Sequence, residues 1–249
     1  MSLLQKEPTI AEWDTNHFGF VIGKFDPKNV DSMKIFHEWA KRNNVKMAIS
    51  RCGTANIPVM IAMQREGFIL LDAYIRYRFE YKKRTISEPK GRAYIRAFKS
   101  NDLIHVERIA ALSFHNYIGH FHNDPNLDQE KCDSLYAKWA LNGCLDKNVA
   151  DEVLVAEVDS KIAGFALLKD LGNNIGEWIL GGVDPEMQGR GVYYDLIIGV
   201  LQWFRNMKFD MMEIDSQINN YGVQRVWHRL GFDIYDSGFT FHWWQNDKK

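Results

Sequence analysis

A strand, a glycine-containing loop and the start of a helix follow one another from Gly176 to Asp195. The loop contains Gln188, Gly189, Arg190 and Gly191, and glycines let a backbone approach a ligand closely. The first amides of a helix have no partner within the helix and lie at the positive end of its dipole. The stretch therefore predicts a turn that binds a diphosphate, with a charge-assisted contact from the arginine. The alternative interpretation is a tight strand-to-helix turn with a surface arginine.

The elements around this turn alternate between strands and amphipathic helices. Apolar side chains recur at every fourth position from Val192 to Phe204, which predicts a helix over 189–207 with a core-facing stripe. Nearer the N-terminus, residues 18–25 predict a strand and residues 68–81 predict a strand pair. This alternation favours a mixed α/β protein.

The composition is that of a globular protein without a strong charge. Of the 249 residues, 46% are hydrophobic and 25% are charged, and the formal net charge is −1. This balance argues against broad electrostatic binding to nucleic acid or to an anionic membrane. The sequence shows no apolar run long enough to span a bilayer and no signal-peptide pattern. Cys52, Cys132 and Cys144 lack a metal-ligand spacing and cannot all pair, so a reducing cytoplasm is the expected location.

Two parts of the chain resemble each other on either side of a polar stretch at 82–92, which we interpret as a domain boundary. At a shift of 164 residues, Met47 aligns with Met211 and Gly67 aligns with Gly231. The predicted helices and strands agree in order, so we interpret the N-terminal part as a second copy of the C-terminal half-fold. The alternative is the generic spacing of small α/β units. The first copy lacks the glycine loop and is not expected to bind the ligand.

Two motifs resemble those of the GCN5-related N-acetyltransferase (GNAT) superfamily. Residues 183–191, VDPEMQGRG, resemble its signature Q/R-x-x-G-x-G/A, and Asn220 with Gly231-Phe232 resembles its later motif. A finer resemblance, carried by residues 13–19, 121–124 and 135–139, is to the dTDP-amino-sugar acetyltransferases of the dTDP-fucosamine type.

This resemblance implies an α/β (α+β) GNAT acyl-CoA N-acyltransferase fold, with a mixed central sheet flanked by helices. It implies a catalytic domain over 93–249 and a degenerate, partial GNAT-like lobe over 1–85. The implied reaction transfers acetyl from acetyl-coenzyme A, without a metal, to a primary amine, with a nucleotide-linked amino sugar of surface polysaccharide synthesis as the favoured acceptor. The alternatives are another amine (a peptide N-terminus, a polyamine or an aminoglycoside) or a non-catalytic acyl-coenzyme A sensor. A small-molecule acceptor is the expected partner, and a homodimer is left open.

The resemblance also assigns the coenzyme A site to the loop, the strand before it and the later motif. It implies that amides of residues 188–193 bind the pyrophosphate, that the strand ending at residue 183 pairs with the pantetheine arm, and that the asparagine at 220 bonds this arm. The assigned residues are Gly181, Val183, Gln188, Gly189, Arg190, Gly191, Val192, Tyr193, Asn220 and Trp227.

Two of these residues depart from the family pattern. Tyr193 stands at the last Gly/Ala position of the loop signature. Trp227 stands where the family has the tyrosine that protonates the departing thiolate, and an indole N–H is far too weak an acid for that role. Tyr193, Tyr194, Tyr221, His228 or water are the open substitutes, and a solvated thiolate needs no acid.

Glu177 is the candidate general base, because some family members carry a glutamate at this spacing. It lies six residues before Val183, so period-2 alternation predicts that the two side chains share a strand face. A carboxylate in an apolar cleft has a raised pKa that suits removal of an amine proton through water. The alternative is a strand-end glutamate in a salt bridge. An amide near Gly181 or Gly182 could stabilise the oxyanion.

Three polar residues of one loop, His120, His122 and Asp124, are the candidate acceptor-binding residues. The resemblance implies that the segment after the first helix of the catalytic domain covers the acceptor site. A zinc site is disfavoured because no helical pair or distant partner supports it. Ordinary surface residues of a loop remain the alternative.

Overall fold

The computed structural model describes residues 7–115 and 117–245, and the chain is mixed α/β. Its ten strands within these ranges are β1 Thr9–Ile10, β2 Ile22–Lys24, β3 Met47–Gly53, β4 Ile69–Glu80, β5 Tyr94–Ala97, β6 Glu152–Val158, β7 Lys161–Asp170, β8 Ile175–Val183, β9 Met211–Gln217 and β10 Asp233–Trp244. Its seven α-helices within the same ranges are α1 Glu12–Phe18, α2 Ser32–Arg42, α3 Ile57–Arg65, α4 Leu103–Ser113, α5 Gln129–Leu145, α6 Val192–Asn206 and α7 Tyr221–Leu230. No helix in the described part of the chain is both long and apolar enough to cross a membrane.

The contacts within the chain divide it into two compact units, and neither is continuous in sequence. Unit 1 contains residues 1–75, 118–131 and 236–249, and unit 2 contains residues 76–117 and 132–235. The C-terminal strand contributes to unit 1 because Gly238–Trp244 pairs with Met47–Gly53. The division by contacts therefore differs from the sequence-based boundaries of 85 and 93. Those boundaries stay a prediction about ancestral copies, which need not coincide with packing units.

In unit 2, five strands lie in the order β9, β8, β7, β6, β5. Their neighbours pair antiparallel except for β8 and β9, which run parallel. The helix α6 covers one face of this sheet with fully buried apolar residues such as Leu196 and Phe204. The core-facing stripe predicted for this helix is therefore confirmed.

In unit 1, the strands lie in the order β1, β2, β3, β10. β2 and β3 run parallel, whereas β1 and β10 pair antiparallel with their neighbours. Phe36 of α2 and Met63 of α3 are fully buried in the core of this unit, together with Phe25 and Phe241. Apolar burial on one face of each helix is what fixes α2 and α3 on the strands.

The internal repeat predicted from the sequence is present in the secondary structure. β3, α3 and β4 begin at residues 47, 57 and 69, and β9, α7 and β10 begin at residues 211, 221 and 233, so each start is shifted by 164 residues. Gly67 and Gly231 follow their helices with left-handed φ angles of 84° and 88°. In the first copy no left-handed glycine lies between β2 and α2, where the second copy carries its loop.

Two sequence-based element assignments were wrong. The strand expected at 18–25 is instead the end of α1 and the short strand β2. Acidic residues in the first turn of α1 suit its dipole, and Gly19, with φ of 85°, ends the helix. The strand pair expected at 68–81 is the single long strand β4.

Candidate functional site

The parallel strands β8 and β9 stay paired over only part of their length. Their hydrogen-bonded register runs from Ile175 and Met211 to Trp178 and Ile214. β8 continues to residue 183 and β9 to residue 217, so the two strands separate beyond that last pair. A parallel pair that separates leaves backbone amides and carbonyls on facing edges, and an extended ligand with amide groups can pair with such an edge.

The loop between β8 and α6 has the geometry of an anion site. Gly189 and Gly191 have φ angles of 74° and 91°, which L side chains rarely adopt. A Cβ at Gly189 would meet no atom within 4 Å, so space is open beside the backbone. The first amides of α6, from Val192 onward, have no acceptor within the helix. These groups fit the pyrophosphate that the family resemblance implies.

Gln188 and Val183 hold the two ends of the turn. The side-chain amide of Gln188 lies 3.4 Å from the carbonyl of Val183, which also accepts a hydrogen bond from Ser113 Oγ at 3.2 Å. Asp184, between them in sequence, accepts from the Glu186 amide at 3.0 Å. The last residues of β8 are thus fixed before the chain enters the loop.

Lys90 and Arg92 lie beside this loop, and the sequence analysis missed both. Asp195, in the first turn of α6 and 1% exposed, accepts hydrogen bonds from the backbone amides of Lys90, Arg92 and Ala93. A Cβ at Gly191 would lie 3.1 Å from Arg92 Cγ and 3.6 Å from Lys90 Cδ. Two cations therefore flank the loop that carries Arg190, in keeping with a phosphate ligand.

Glu177 and Val183 lie on opposite faces of β8, so the predicted shared face was wrong. The pairing of β7 with β8 shifts between Leu167 and Leu168, and this bulge inserts one extra residue before Leu180. A Cβ at Gly176 would meet Phe204 of α6, so this position of β8 faces α6. A Cβ at Gly164, the partner of Val183 in β7, would lie 3.2 Å from Val183 Cγ2 and 3.5 Å from Leu196 Cδ2, so Val183 also faces α6. Because neighbouring side chains alternate, Glu177 lies on the face away from α6.

The environment of Glu177 is polar on both sides. Its partner in β7 is Lys169 and its partner in β9 is Glu213. The Glu213 carboxylate is held by Arg78, with N···O of 2.5 Å, and by the Tyr235 hydroxyl at 2.6 Å. The catalytic role of Glu177 stays a prediction.

Three aromatic side chains meet where β8 and β9 separate. The indole Nε1–H of Trp227 donates to the Tyr193 hydroxyl oxygen at 3.1 Å, and the Tyr193 and Trp178 rings lie 5.7 Å apart. Trp227 is 1% exposed, and its ring also packs edge-on against Tyr77 at 5.2 Å. Burial raises the pKa of Tyr193 above its ordinary value, while the hydrogen bond from Trp227 lowers it. A Cβ at Gly181 would clash with the Trp178 indole, so this glycine makes room for the ring.

Asn220 precedes α7 and does not cap it with its side chain. Its Nδ2 donates to Ser216 Oγ at 3.0 Å, near the end of β9. The residue thus lies beside the free end of the strand that separates from β8. Its hydrogen bond to a pantetheine arm stays a prediction.

The candidate acceptor-binding residues belong to unit 1, where two of them form a buried chain with a residue of β10. His242 Nδ1 lies 2.7 Å from Asp124 Oδ2, and His242 Nε2 lies 2.8 Å from His120 Nδ1. Trp244 donates to the same Asp124 oxygen at 2.8 Å. Asp124 and His242 are 2% and 0% exposed, so Asp124 lies inside the unit and is linked to His120 through His242. Sequence reasoning missed His242 because it lies 118 residues from Asp124.

The hydrogen-bond directions in this chain follow from the ionised carboxylate. Asp124 accepts from His242 Nδ1–H, so neutral His242 has an unprotonated Nε2 that accepts from His120. Burial is the main cause that holds the pKa of His120 well below 6.5, and the positive charges of Arg51 and Lys24 add to it. His122 belongs to the same loop and is half-buried. In the described part of the chain, no group of three His, Cys, Asp or Glu side chains could hold a metal ion.

The structure brings the predicted cofactor residues together within unit 2. The loop at 188–193, the end of β8, Asn220 and Trp227 all border the separated ends of β8 and β9. His120, His122 and Asp124 are gathered in unit 1. Their assigned roles toward ligands stay predictions.

The chain matches known proteins in sequence and in fold. A model of the acetyltransferase (GNAT) family matches residues 108–232. The spore coat polysaccharide biosynthesis protein SpsD of Bacillus subtilis (strain 168) is 21% identical over 126 residues, which are 50% of this chain and 42% of that protein. The chain thus spans less than half the length of this relative.

Two solved structures resemble nearly the whole chain in fold. A GCN5-related N-acetyltransferase from Sphaerobacter thermophilus has a TM-score of 0.67 at 12% identity, covering 94% of this chain and 75% of its own. A tandem GNAT protein from the clavulanic acid biosynthesis pathway has a TM-score of 0.63 at 13% identity, covering 92% and 76%. These likenesses confirm the predicted fold class, including a GNAT-like N-terminal part.

Proposed function

Because this chain belongs to the acetyltransferase (GNAT) family, we propose that it transfers the acetyl group of acetyl-coenzyme A to a primary amine. Members of this family use acyl-coenzyme A. The observation that carries the proposal is the separation of β8 from β9 beyond Trp178 and Ile214, next to a glycine loop at the start of α6. An edge for amide pairing and a positive helix end for a diphosphate suit the two parts of coenzyme A.

The residues of unit 2 divide the binding of this co-substrate among them. The amides of residues 188–193 hold the pyrophosphate, with Arg190, Lys90 and Arg92 adding positive charge. The edge of β8 that ends at Val183 and the side chain of Asn220 bind the pantetheine arm. The co-substrate supplies an activated acetyl group, and the chain supplies its orientation.

Glu177 removes the proton of the attacking amine in this proposal. The bulge in β8 turns its carboxylate to the face away from α6, the face on which Gly182 lies near Ser113 of α4. A general base acts through a hydrogen bond or one water, so this position is compatible with an amine that approaches from the α4 face.

The favoured acceptor is a nucleotide-linked amino sugar of surface polysaccharide synthesis. The support is the sequence resemblance at residues 13–19, 121–124 and 135–139 and the name of SpsD, a spore coat polysaccharide biosynthesis protein. In this proposal His120 and His122 contact the acceptor, and Asp124 fixes the orientation of His120 through His242. Another amine remains the alternative acceptor.

A second candidate function is an acyl-coenzyme A sensor without turnover. It is favoured by Trp227, which fills the position of the family's proton-donating tyrosine with a side chain that cannot give up its proton. The sensor and the enzyme share the cofactor site and differ in release of thiol.

Thiol release from acetyl-coenzyme A separates these functions. The purified chain is mixed with acetyl-coenzyme A and a panel of nucleotide amino sugars, polyamines, aminoglycosides and peptides, and free thiol is measured over time. Thiol release with amino-sugar nucleotides alone supports the favoured acceptor. Thiol release with another class of amine identifies that class as the acceptor instead. Tight binding without release from any amine favours the sensor.

A further inference from the structure

Trp227 stands at the position of the family's proton-donating tyrosine, and its indole N–H donates a hydrogen bond to the hydroxyl of Tyr193. We infer that the Tyr193 hydroxyl donates the proton that the departing thiolate receives, and that the Trp227 indole positions this hydroxyl. The inference deepens the proposed function and rests on it. Tyr193 lies outside the motif position of the family's usual donor, which Trp227 occupies in this chain.

The placement of Tyr193 carries the inference. Its backbone lies in the first turn of α6, directly after the anion loop, and its ring contacts Trp178, the last residue of β8 that pairs with β9. The hydroxyl therefore lies at the base of the separated strands. A ligand that is anchored at the loop and paired along β8 extends toward this base.

The hydrogen-bond balance of Tyr193 leaves its proton available. A phenol has one proton to donate and two lone pairs to accept. Trp227 occupies one lone pair, and in the described part of the chain the Tyr193 O–H has no protein acceptor. An indole N–H that points at the oxygen also stabilises the phenolate left after donation, because a hydrogen bond to the charged form favours it.

The other candidate donors are placed less well. The Tyr194 ring lies under the Lys90 ammonium at 4.4 Å, beside the loop. Tyr221 is 62% exposed at the start of α7, and His228 is also exposed. In the part of the chain that the structure describes, none of these three side chains packs against the Trp178 ring or hydrogen-bonds to Trp227, whereas Tyr193 does both.

The step balances without a further reactant. The amine nitrogen forms a bond to the carbonyl carbon, and the base removes one proton from that nitrogen. The carbon–sulfur bond breaks, its electron pair stays on sulfur, and the Tyr193 O–H proton moves to sulfur to give the thiol. The tyrosinate regains a proton from solvent, which received the amine proton from the base, so amine and thioester give amide and thiol.

The test compares Tyr193→Phe with Tyr194→Phe in the full chain, using the most active amine of the panel. Tyr193→Phe should lower kcat by about 100-fold, the scale of general acid catalysis, while the Kd of coenzyme A changes by less than about threefold. Tyr194→Phe keeps a ring under Lys90 and should leave both quantities unchanged. Unchanged kcat in Tyr193→Phe would overturn the inference, and so would a weakening of coenzyme A binding as large as the loss of kcat, because that pattern indicates a packing defect.

Rescue by a second tyrosine separates proton donation from packing. In the Tyr193→Phe background, Trp227→Tyr returns a phenol to the same place from α7 and should recover about tenfold of the lost kcat. A double variant as slow as Tyr193→Phe would contradict proton donation at this place. A wild-type chain that releases no thiol with any amine refutes the proposed function and this inference with it. Active wild-type chain with an unaffected Tyr193→Phe variant refutes the inference alone.

Discussion

The carboxylate of Asp195 accepts a hydrogen bond from the backbone amide of Lys90 at 2.5 Å, although 105 residues separate them in sequence. The amides of Arg92 and Ala93 donate to the same carboxylate. Three charge-assisted hydrogen bonds thus fasten residues 90–93 to the first turn of α6. The end of the polar stretch that was interpreted as a domain boundary therefore lies beside the glycine loop at 188–191.

Asp195→Asn should loosen this attachment. An asparagine can turn only one oxygen to the three amides, and its own N–H groups then face other donors, so about 2 kcal/mol of the free energy of unfolding should be lost. The Kd of coenzyme A should rise because Lys90 and Arg92 leave the loop. Urea unfolding and titration calorimetry measure the two effects.

The control for this change is Asp159→Asn in the exposed turn between β6 and β7. Asp159 has a φ of 48°, a conformation that asparagine tolerates at least as well. The Asp159→Asn variant should have the same free energy of unfolding and the same Kd for coenzyme A as the wild type. If Asp195→Asn behaves like this control, residues 90–93 are not held by the carboxylate.

Gly191→Ala should weaken coenzyme A binding through the backbone. A left-handed φ costs a non-glycine residue about 1–2 kcal/mol, and the added Cβ would lie 3.1 Å from Arg92 Cγ. The loop then moves away from the geometry that presents its amides. Calorimetry should show a higher Kd, with a lower melting temperature in scanning calorimetry.

Gly222→Ala is the matched control for the loop glycine. Gly222 lies in α7 without a positive φ, and a Cβ there would meet no atom within 4 Å. Alanine is the better helix former, so stability should rise by about 0.5 kcal/mol with unchanged affinity. Equal affinities for both alanine variants would argue against an anion site at the loop.

The parts of the site that sequence predicted are local in the chain. The glycine loop at 188–191, α6 and the repeat shift of 164 residues depend on spacing and periodicity, which a sequence displays directly. The chemistry of Trp227 was likewise visible, since a residue type limits what it can donate.

The parts that sequence did not predict depend on contacts distant in the chain. The bulge in β8 lies where its pairing with β7 shifts between Leu167 and Leu168. This bulge places Glu177 on the face opposite to the one predicted from the sequence. His242 joins Asp124 across 118 residues. Packing decides the register of a strand and the pairing of residues distant in sequence, and the local pattern of residues does not predict either.

Glu177→Gln should lower kcat strongly at neutral pH. Glutamine keeps the shape of the side chain and cannot accept a proton, so a loss of about 100-fold is expected for removal of a general base. Steady-state thiol release measured across pH gives the result. Glu107→Gln, an exposed change on α4, should leave the rate unchanged. Wild-type rates for Glu177→Gln at every pH would remove Glu177 as the base.

The buried chain of His120, His242 and Asp124 should make the protein less stable as pH falls below about 6.5. Burial lowers the pKa of both histidines from 6.5, and the hydrogen bonds that Asp124 accepts hold the pKa of its carboxyl below 3.8 despite burial. Below pH 6.5 these two histidines bind protons in the unfolded chain but stay neutral in the folded chain. The free energy of unfolding therefore falls with falling pH, first through the histidines and below about 3.8 also through Asp124.

His120→Gln tests this dependence. A glutamine amide can still donate to His242 Nε2 but does not titrate, so the loss of stability between pH 6.5 and 5 should become shallower. Arg51, Lys24, His122 and Asp14 are the other charged or titratable groups that act on the two histidines, and they are unchanged in the variant. Urea unfolding at a series of pH values measures the slope, with His105→Gln, an exposed change on α4, as the control. A slope in His120→Gln as steep as that of the wild type would show that His120 takes up its proton as readily in the folded chain as in the unfolded one.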